Sequence, residues 1–268
     1  MHLHHKQNYQ NKMDSRQYTT ASELTRAMEA RKNPEKSAHL MRFFKTGKNE
    51  YGEGDEFLGL TTPETRDFVR QSTQMSLVEV KKLLVSRWHE IRLCGFLILV
   101  AQFERACRKS VLNVDSFIVL RDHIAMFYLE HCEHANNWDL VDLSCYKIVG
   151  RWLTLPSSYP LAERQAMIDE LAFSGNLWKE RISMVSTMWP LREGDPSYTL
   201  KYAVVHLHHP HDLMHKAVGW LLREMGKRCG VDILREFLSA HASEMPRTAL
   251  RYAIEHLDEE ERQTWLRG

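Results

Sequence analysis

Apolar positions recur at three- and four-residue spacing along almost the whole chain, and the alternation of a half-buried strand is nearly absent. This pattern predicts helices beginning near Ala21, Pro34, Pro63, Ser76, Glu90, Asp115, Trp138, Leu161, Leu177, Ser197, Asp212, Val231, Pro246 and Asp258. Asn33-Pro34, Thr62-Pro63 and Met245-Pro246 place proline at a first helical turn, where its missing N–H removes no bond. Connections are short and composition does not shift between helices. The expected fold class is therefore all-α, a HEAT-like helical-repeat solenoid of antiparallel pairs stacked side by side. No strict repeat length is visible, so an ordinary helical bundle shares this pattern. Residues 17–268 read as a single domain after a polar lead over 1–16, expected to be disordered. The one long interruption in the first half runs from Lys45 to Asp55, where Gly47, Gly52 and Gly54 forbid a stable helix. No Gly-Lys-Ser/Thr closes it as a P-loop would, so it is a loop and a candidate contact loop.

Charge changes the picture only when it is resolved along the chain. Lys and Arg total 36 against 35 Asp and Glu, a formal net charge of +1, which excludes a uniformly basic nucleic-acid binder but not a segregated basic face. From Lys216 to Arg251 there are seven Lys/Arg and four Asp/Glu, followed by the acidic Glu255 and Asp258–Glu261. The longest apolar run, Leu93 to Ala101, falls far short of the ~20 residues a membrane span requires. The first fifteen residues hold no apolar core of a signal peptide. Five cysteines, an odd number without a C-x-x-C pair, fit reduced thiols in a cytoplasmic protein.

Four helices carry candidate chemistry. On 212–229, Val218, Leu221, Leu222, Met225 and Cys229 share a core-facing arc of about 100°. Lys216, Trp220, Arg223 and Lys227 lie on the opposite side. A tryptophan among cations suits a nucleic-acid face, with cations on phosphates and the indole on sugar or base; a solvated cationic face is the plain alternative. Arg247 and Arg251 share a later helix face. In Asn137-Trp138-Asp139-Leu140-Val141-Asp142, the helix buries Leu140, Val141, Ser144, Cys145, Ile148 and Val149, and Trp138 and Asp142 sit together at the margin. Asp139 reads as a first-turn acid favoured by the helix dipole. Asp142 lies too deep for that, and either pairs with an arginine of an adjacent helix or faces a ligand. The matching arginine is Arg181, set within the ridge Trp178, Ile182, Val185 and Trp189, where it requires a carboxylate or a phosphate.

The cluster His206, His208, His209 and His211 invites a metal reading. Pro210 interrupts it, it falls between helices, and Asp212 reads as the cap of the next helix, so no metal is expected there. His2, His4 and His5 are assigned to the polar lead. Gly-x-Ser-x-Gly and Cys/His nucleophile patterns are absent.

The stretches FFKTGKNEYGEGDEFLGL, HEIRLCGFLILV, NNWDLVD, WKERISMVST, KAVGWLLREMGKR and MPRTALRYAIEH together make the chain resemble the AlkD family of HEAT-like-repeat DNA glycosylases, over about residues 20–257. The resemblance implies a curved solenoid whose basic concave channel holds double-stranded DNA. It implies excision of cationic N3- and N7-alkylated purines, such as 3-methyladenine and 7-methylguanine, without flipping the base. Trp138, Asp142, Arg181 and Trp220 stand where that family has its active-site Trp, Asp, Arg and Trp. Asp142 would stabilise the sugar cation and activate water, the two tryptophans would bracket the sugar, and Arg181 would grip a phosphate. Lys216, Arg223, Lys227, Arg247 and Arg251 would supply DNA-backbone affinity. No lysine joins Trp138 and Asp142, so a monofunctional enzyme without a cofactor, working as a monomer and leaving an abasic site, is expected. Two rival readings, a non-enzymatic DNA-structure binder and a protein scaffold, give no reason for a carboxylate inside a basic groove.

Overall fold

The computed structural model describes residues 17–267, so the readings placed on the first sixteen residues lie outside the described part. Among the described residues the chain is all-α, and its extended backbone makes only an isolated bridge between Glu56 and Trp88. The predicted helices start within one residue of their expected positions because the local signals are strong, and a further short helix, Met188–Arg192, was not predicted. Asn33 caps the helix opened by Pro34 by accepting from the Lys36 amide at 3.0 Å. Thr61 and Glu64 form a reciprocal capping box around Pro63.

The chain divides into two compact units. The first comprises residues 17–110 with His134–Leu140, and contains α1 (Ala21–Glu29), α2 (Pro34–Phe43), α3 (Thr62–Arg70), α4 (Leu77–Leu84) and α5 (His89–Ala106). Helix α5 packs on both α3 and α4 and is buried on every side from His89 to Val100, so its sequence lacks an amphipathic stripe. Glu90, 2% exposed, accepts from the backbone amides of Leu58, Gly59 and Leu60 at 2.8, 2.8 and 3.1 Å. It thereby fastens the chain that follows the glycine-rich loop. Gly59 has φ +88°, and a Cβ there would lie 2.2 Å from the Asn33 carbonyl oxygen, so no other residue fits.

The short helix α7 (Trp138–Asp142) leads from this unit into the second, which comprises Val111–Glu133 and the chain from Val141 onward. Here lie α6 (Asp115–Glu130), α8 (Leu161–Ala172), α9 (Leu177–Ser186), α10 (Met188–Arg192), α11 (Ser197–Val205), α12 (Asp212–Cys229), α13 (Val231–His241), α14 (Arg247–Ala253) and α15 (Glu259–Arg267). Helix α12 is the hub, packing on α9, α10, α11, α13 and α14. The buried arc predicted after Trp138 is present, with Leu140, Val141, Ser144, Cys145, Ile148 and Val149 all unexposed. The helix that carries it is not continuous: turns at 143–144 separate α7 from a π-helical segment, Tyr146–Gly150. No disulfide joins the five cysteines; Cys94, Cys107, Cys132 and Cys145 are buried and Cys229 is half-buried. No helix among the described residues is long and apolar enough to cross a membrane.

Candidate active site

In the second unit, α9 and the end of α7 supply a carboxylate held by a guanidinium. Asn176 caps α9, accepting from the amides of Trp178 and Lys179, which fixes the turn that places Arg181. Arg181 Nε donates to Asp142 Oδ1 at 2.9 Å and Nη2 donates to Oδ2 at 2.7 Å, a fork-to-fork pair. Its Nη1 donates to the carbonyl of Leu213 at the start of α12. The two side chains differ in access: Arg181 is 6% exposed and Asp142 17%. The guanidinium is thus sealed behind the carboxylate, while the carboxylate still reaches the surface. Trp220 is half-buried on α12, next to Gly219, where a Cβ would lie 2.4 Å from the Ala249 carbonyl oxygen of α14.

Trp138 is set by the first unit. Its indole stacks on Phe44, with ring centroids 5.3 Å apart and planes at 20°, and meets Phe43 edge-on at 6.1 Å. Its backbone amide donates to the buried Asn137 side chain at 2.9 Å. The neighbouring Asp139 departs from the dipole reading. It is 6% exposed, and its Oδ2 accepts from His89 Nε2 at 2.9 Å. The other face of that imidazole donates from Nδ1 to Asp55 Oδ2 at 2.7 Å, and Arg92 Nη2 donates to Asp55 Oδ1. Burial disfavours a charged imidazole, but the two carboxylates outweigh it and raise the His89 pKa from 6.5 to about 9. The Asp55 carboxyl is held below its ordinary range: burial opposes this, and bonding and charge from His89 and Arg92 overcome it.

A family model described as DNA alkylation repair enzyme matches residues 24–257. The chain belongs to that family. Among solved structures, it is similar to one described as a predicted DNA alkylation repair enzyme from Enterococcus faecalis, with a TM-score of 0.59 and 16% identity over 85% of this chain and 98% of that one. At that identity the likeness concerns the fold. A comparison with curated proteins returns no match.

Membership of the DNA alkylation repair family makes DNA the substrate and bears directly on the cations of the C-terminal third. Helices α12 and α14, packed through Gly219, bring Lys216, Arg223 and Lys227 together with Arg247 and Arg251 on adjacent elements. Several are paired with protein acceptors. Lys216 meets Asp212 at 2.8 Å, Arg223 meets Glu255, and Lys227 meets Glu224 at 3.5 Å. Arg247 donates to the Leu266 carbonyl at 3.0 Å. These cations are therefore already held by protein acceptors.

The histidines between α11 and α12 meet protein groups. His206, buried, pairs with the Ser183 hydroxyl at 2.9 Å, and burial lowers its pKa to about 4. His209 Nε2 lies 2.8 Å from Glu180, and its Nδ1 accepts from the His211 amide at 3.0 Å. His211, not Asp212, caps α12, its Nδ1 accepting from the Leu213 amide at 3.1 Å. Among the described residues no group of three or more His, Cys, Asp or Glu is arranged to hold a metal ion.

Sequence periodicity singled out Trp138, Asp142, Arg181 and Trp220 as candidates but passed over the buried ion network of Asp55, His89, Arg92 and Asp139. The signal was present. His89, Glu90 and Arg92 precede an unbroken apolar run in a helix with no polar face, where charged groups require partners.

Proposed function

We propose that this protein is a monofunctional alkylpurine DNA N-glycosylase, hydrolysing the N-glycosidic bond of N3- or N7-alkylated purines such as 3-methyladenine and 7-methylguanine in double-stranded DNA. The observation that carries this reading is the accessible Asp142 carboxylate, oriented through both oxygens by the sealed Arg181, in a chain of the DNA alkylation repair family. Alkylation at N3 or N7 makes the base a cation. Its departure takes the C1′–N bonding pair and neutralises it, leaving positive charge on the deoxyribose, the charge that carboxylates stabilise in glycoside hydrolysis. Asp142 faces that sugar, stabilises the cation and accepts the proton of the water that adds to C1′. The products are the neutral purine and an abasic site.

Arg181 serves as the holder of Asp142 and acts on the lesion through the carboxylate it orients. Trp138 and Trp220 pack on the C–H bonds and developing charge of the sugar. Lys216, Arg223, Lys227, Arg247 and Arg251 line a basic channel for the DNA backbone. The leaving group is already activated, so the base needs no enclosing pocket, no flipping and no cofactor. The protein acts as a cytoplasmic monomer.

The test is release of 7-methylguanine from methylated duplex DNA. Asp142→Asn is expected to slow release by roughly 10²–10⁴-fold, the range for a lost general base, while DNA affinity stays within about twofold. Equal release by parent and variant would remove Asp142 from the chemistry. No release by the parent would leave a DNA-structure binder as the better reading.

A further inference from the structure

We propose that His89, clamped between Asp55 and Asp139, is a positioning residue that fixes Trp138 for its contact with the substrate sugar, and that the glycine-rich loop 45–55 closes this clamp. The proposal rests on the reading of Trp138 given above.

Two routes tie one imidazole to one indole, both within the first unit. The first is a ladder of rings. His89 stacks on Phe57 at 4.4 Å and 19°, Phe57 on Phe44 at 5.1 Å and 20°, and Phe44 on Trp138 at 5.3 Å and 20°. The second is ionic and runs along the backbone: His89 bonds Asp139, the residue following Trp138, at 2.9 Å. An indole held by a stacked plate and a pinned neighbour has little rotational freedom. That is the requirement for packing on a sugar, where displacement of about an ångström removes the effect.

The loop joins the two routes. It leaves the ring ladder at Phe44 and returns at Asp55, the other carboxylate on His89. Its neck is narrow: the Gly52 amide donates to the Lys45 carbonyl at 3.0 Å, and the Asp55 amide donates to the Gly52 carbonyl at 3.1 Å. A Cβ at Gly52 would lie 2.5 Å from the Phe44 carbonyl oxygen and 3.3 Å from the Asn137 amide nitrogen, one residue before Trp138. The loop therefore acts through its two ends and its glycine neck. The groups facing His89 are Asp55 from the loop, Asp139 from α7, and Arg92 of its own helix through Asp55. In this setting the imidazole is a cation at neutral pH, and its two N–H groups hold both carboxylates at once.

The experiment compares His89→Gln and Asp55→Asn with the parent, using single-turnover release of 7-methylguanine at saturating enzyme, affinity for undamaged duplex, and acrylamide quenching of Trp138 isolated by subtracting the Trp138→Phe spectrum. The expected result is a release rate at least tenfold lower, affinity within twofold, and a more readily quenched Trp138. Lower melting temperatures with rate and quenching both within twofold of the parent would reduce His89 to a purely structural group and overturn the proposal. If His89→Gln does not fold, Phe44→Leu cuts the ring ladder without touching the ion network, and is read by the same criteria. If the parent releases no base, the glycosylase reading fails, and Trp138 quenching alone decides the positioning.

Discussion

At the scale of single residues, the side chains that matter are defined by how their donors and acceptors are used. Arg181 commits three donor atoms, two to Asp142 and one to the Leu213 carbonyl, so in the proposed reaction its charge would act through the carboxylate it orients. His89 has a consequence for stability. Its folded pKa, about 9, lies above the 6.5 of the unfolded chain, so folding binds a proton between those values. The stabilisation is fully present below pH 6.5 and is lost as pH rises through about 9. Urea midpoints measured from pH 6 to pH 10 are expected to fall on the alkaline side for the parent, and to fall less for His89→Gln; coincident profiles would remove His89 as the source. Single-residue roles were only half legible in the sequence. Spacing placed Trp138 beside Asp142 and Arg181 in an apolar ridge, but the partner of Asp139 lies fifty positions away, and local pattern carries no record of it.

At the scale of elements, the segment after Asp142 is the part that pattern reading simplified. The buried arc was right and the continuous helix was not, because burial periodicity tolerates a π-turn that backbone hydrogen bonding does not hide. The π segment approaches α9 closely: a Cβ at Gly150 would lie 2.1 Å from the Ser186 carbonyl oxygen. The π segment comes just after α7, which ends at Asp142, and α9 itself carries Arg181. The same approach sets Arg151 over the Trp189 ring at 4.5 Å, and Arg192 over Tyr146 at 4.9 Å and Trp189 at 5.4 Å. Gly150→Ala is expected to destabilise by roughly 1–3 kcal/mol, the usual cost of overpacking. Base release is expected to fall with it, through a displaced Asp142–Arg181 pair. Denaturant unfolding and a release assay below the transition check both, and a variant as stable and active as the parent would show that the backbones move apart without consequence.

At the scale of the whole molecule, the fold was legible because helical periodicity runs along nearly the whole chain and several elements carry their own punctuation, such as Asn33-Pro34, the Thr61–Glu64 box and the glycine ending α12 at Gly230. The cations of the C-terminal third were legible as a local excess of Lys and Arg. Their partners, Glu224, Glu255 and Asp212, were visible in the sequence but not their pairing. Because Lys227 already meets Glu224, its contribution to DNA binding is best read from salt dependence. Lys227→Ala is expected to lower the slope of log affinity against log salt by about 0.9, the value for one phosphate contact; an unchanged slope removes Lys227 from the DNA face.

The burial of the cysteines has a meaning of its own for a protein of this family. Agents that methylate DNA also attack sulfur, and they attack the thiolate far faster than the thiol. Burial pushes the Cys94 and Cys145 thiols far up, raises Cys132 to about 11, and raises the half-buried Cys229 as well. At neutral pH these sulfurs hold almost no nucleophilic form, and most are also shut away from the reagent. The core that folds the protein thus keeps these cysteines in the thiol form, the one that electrophiles attack slowly.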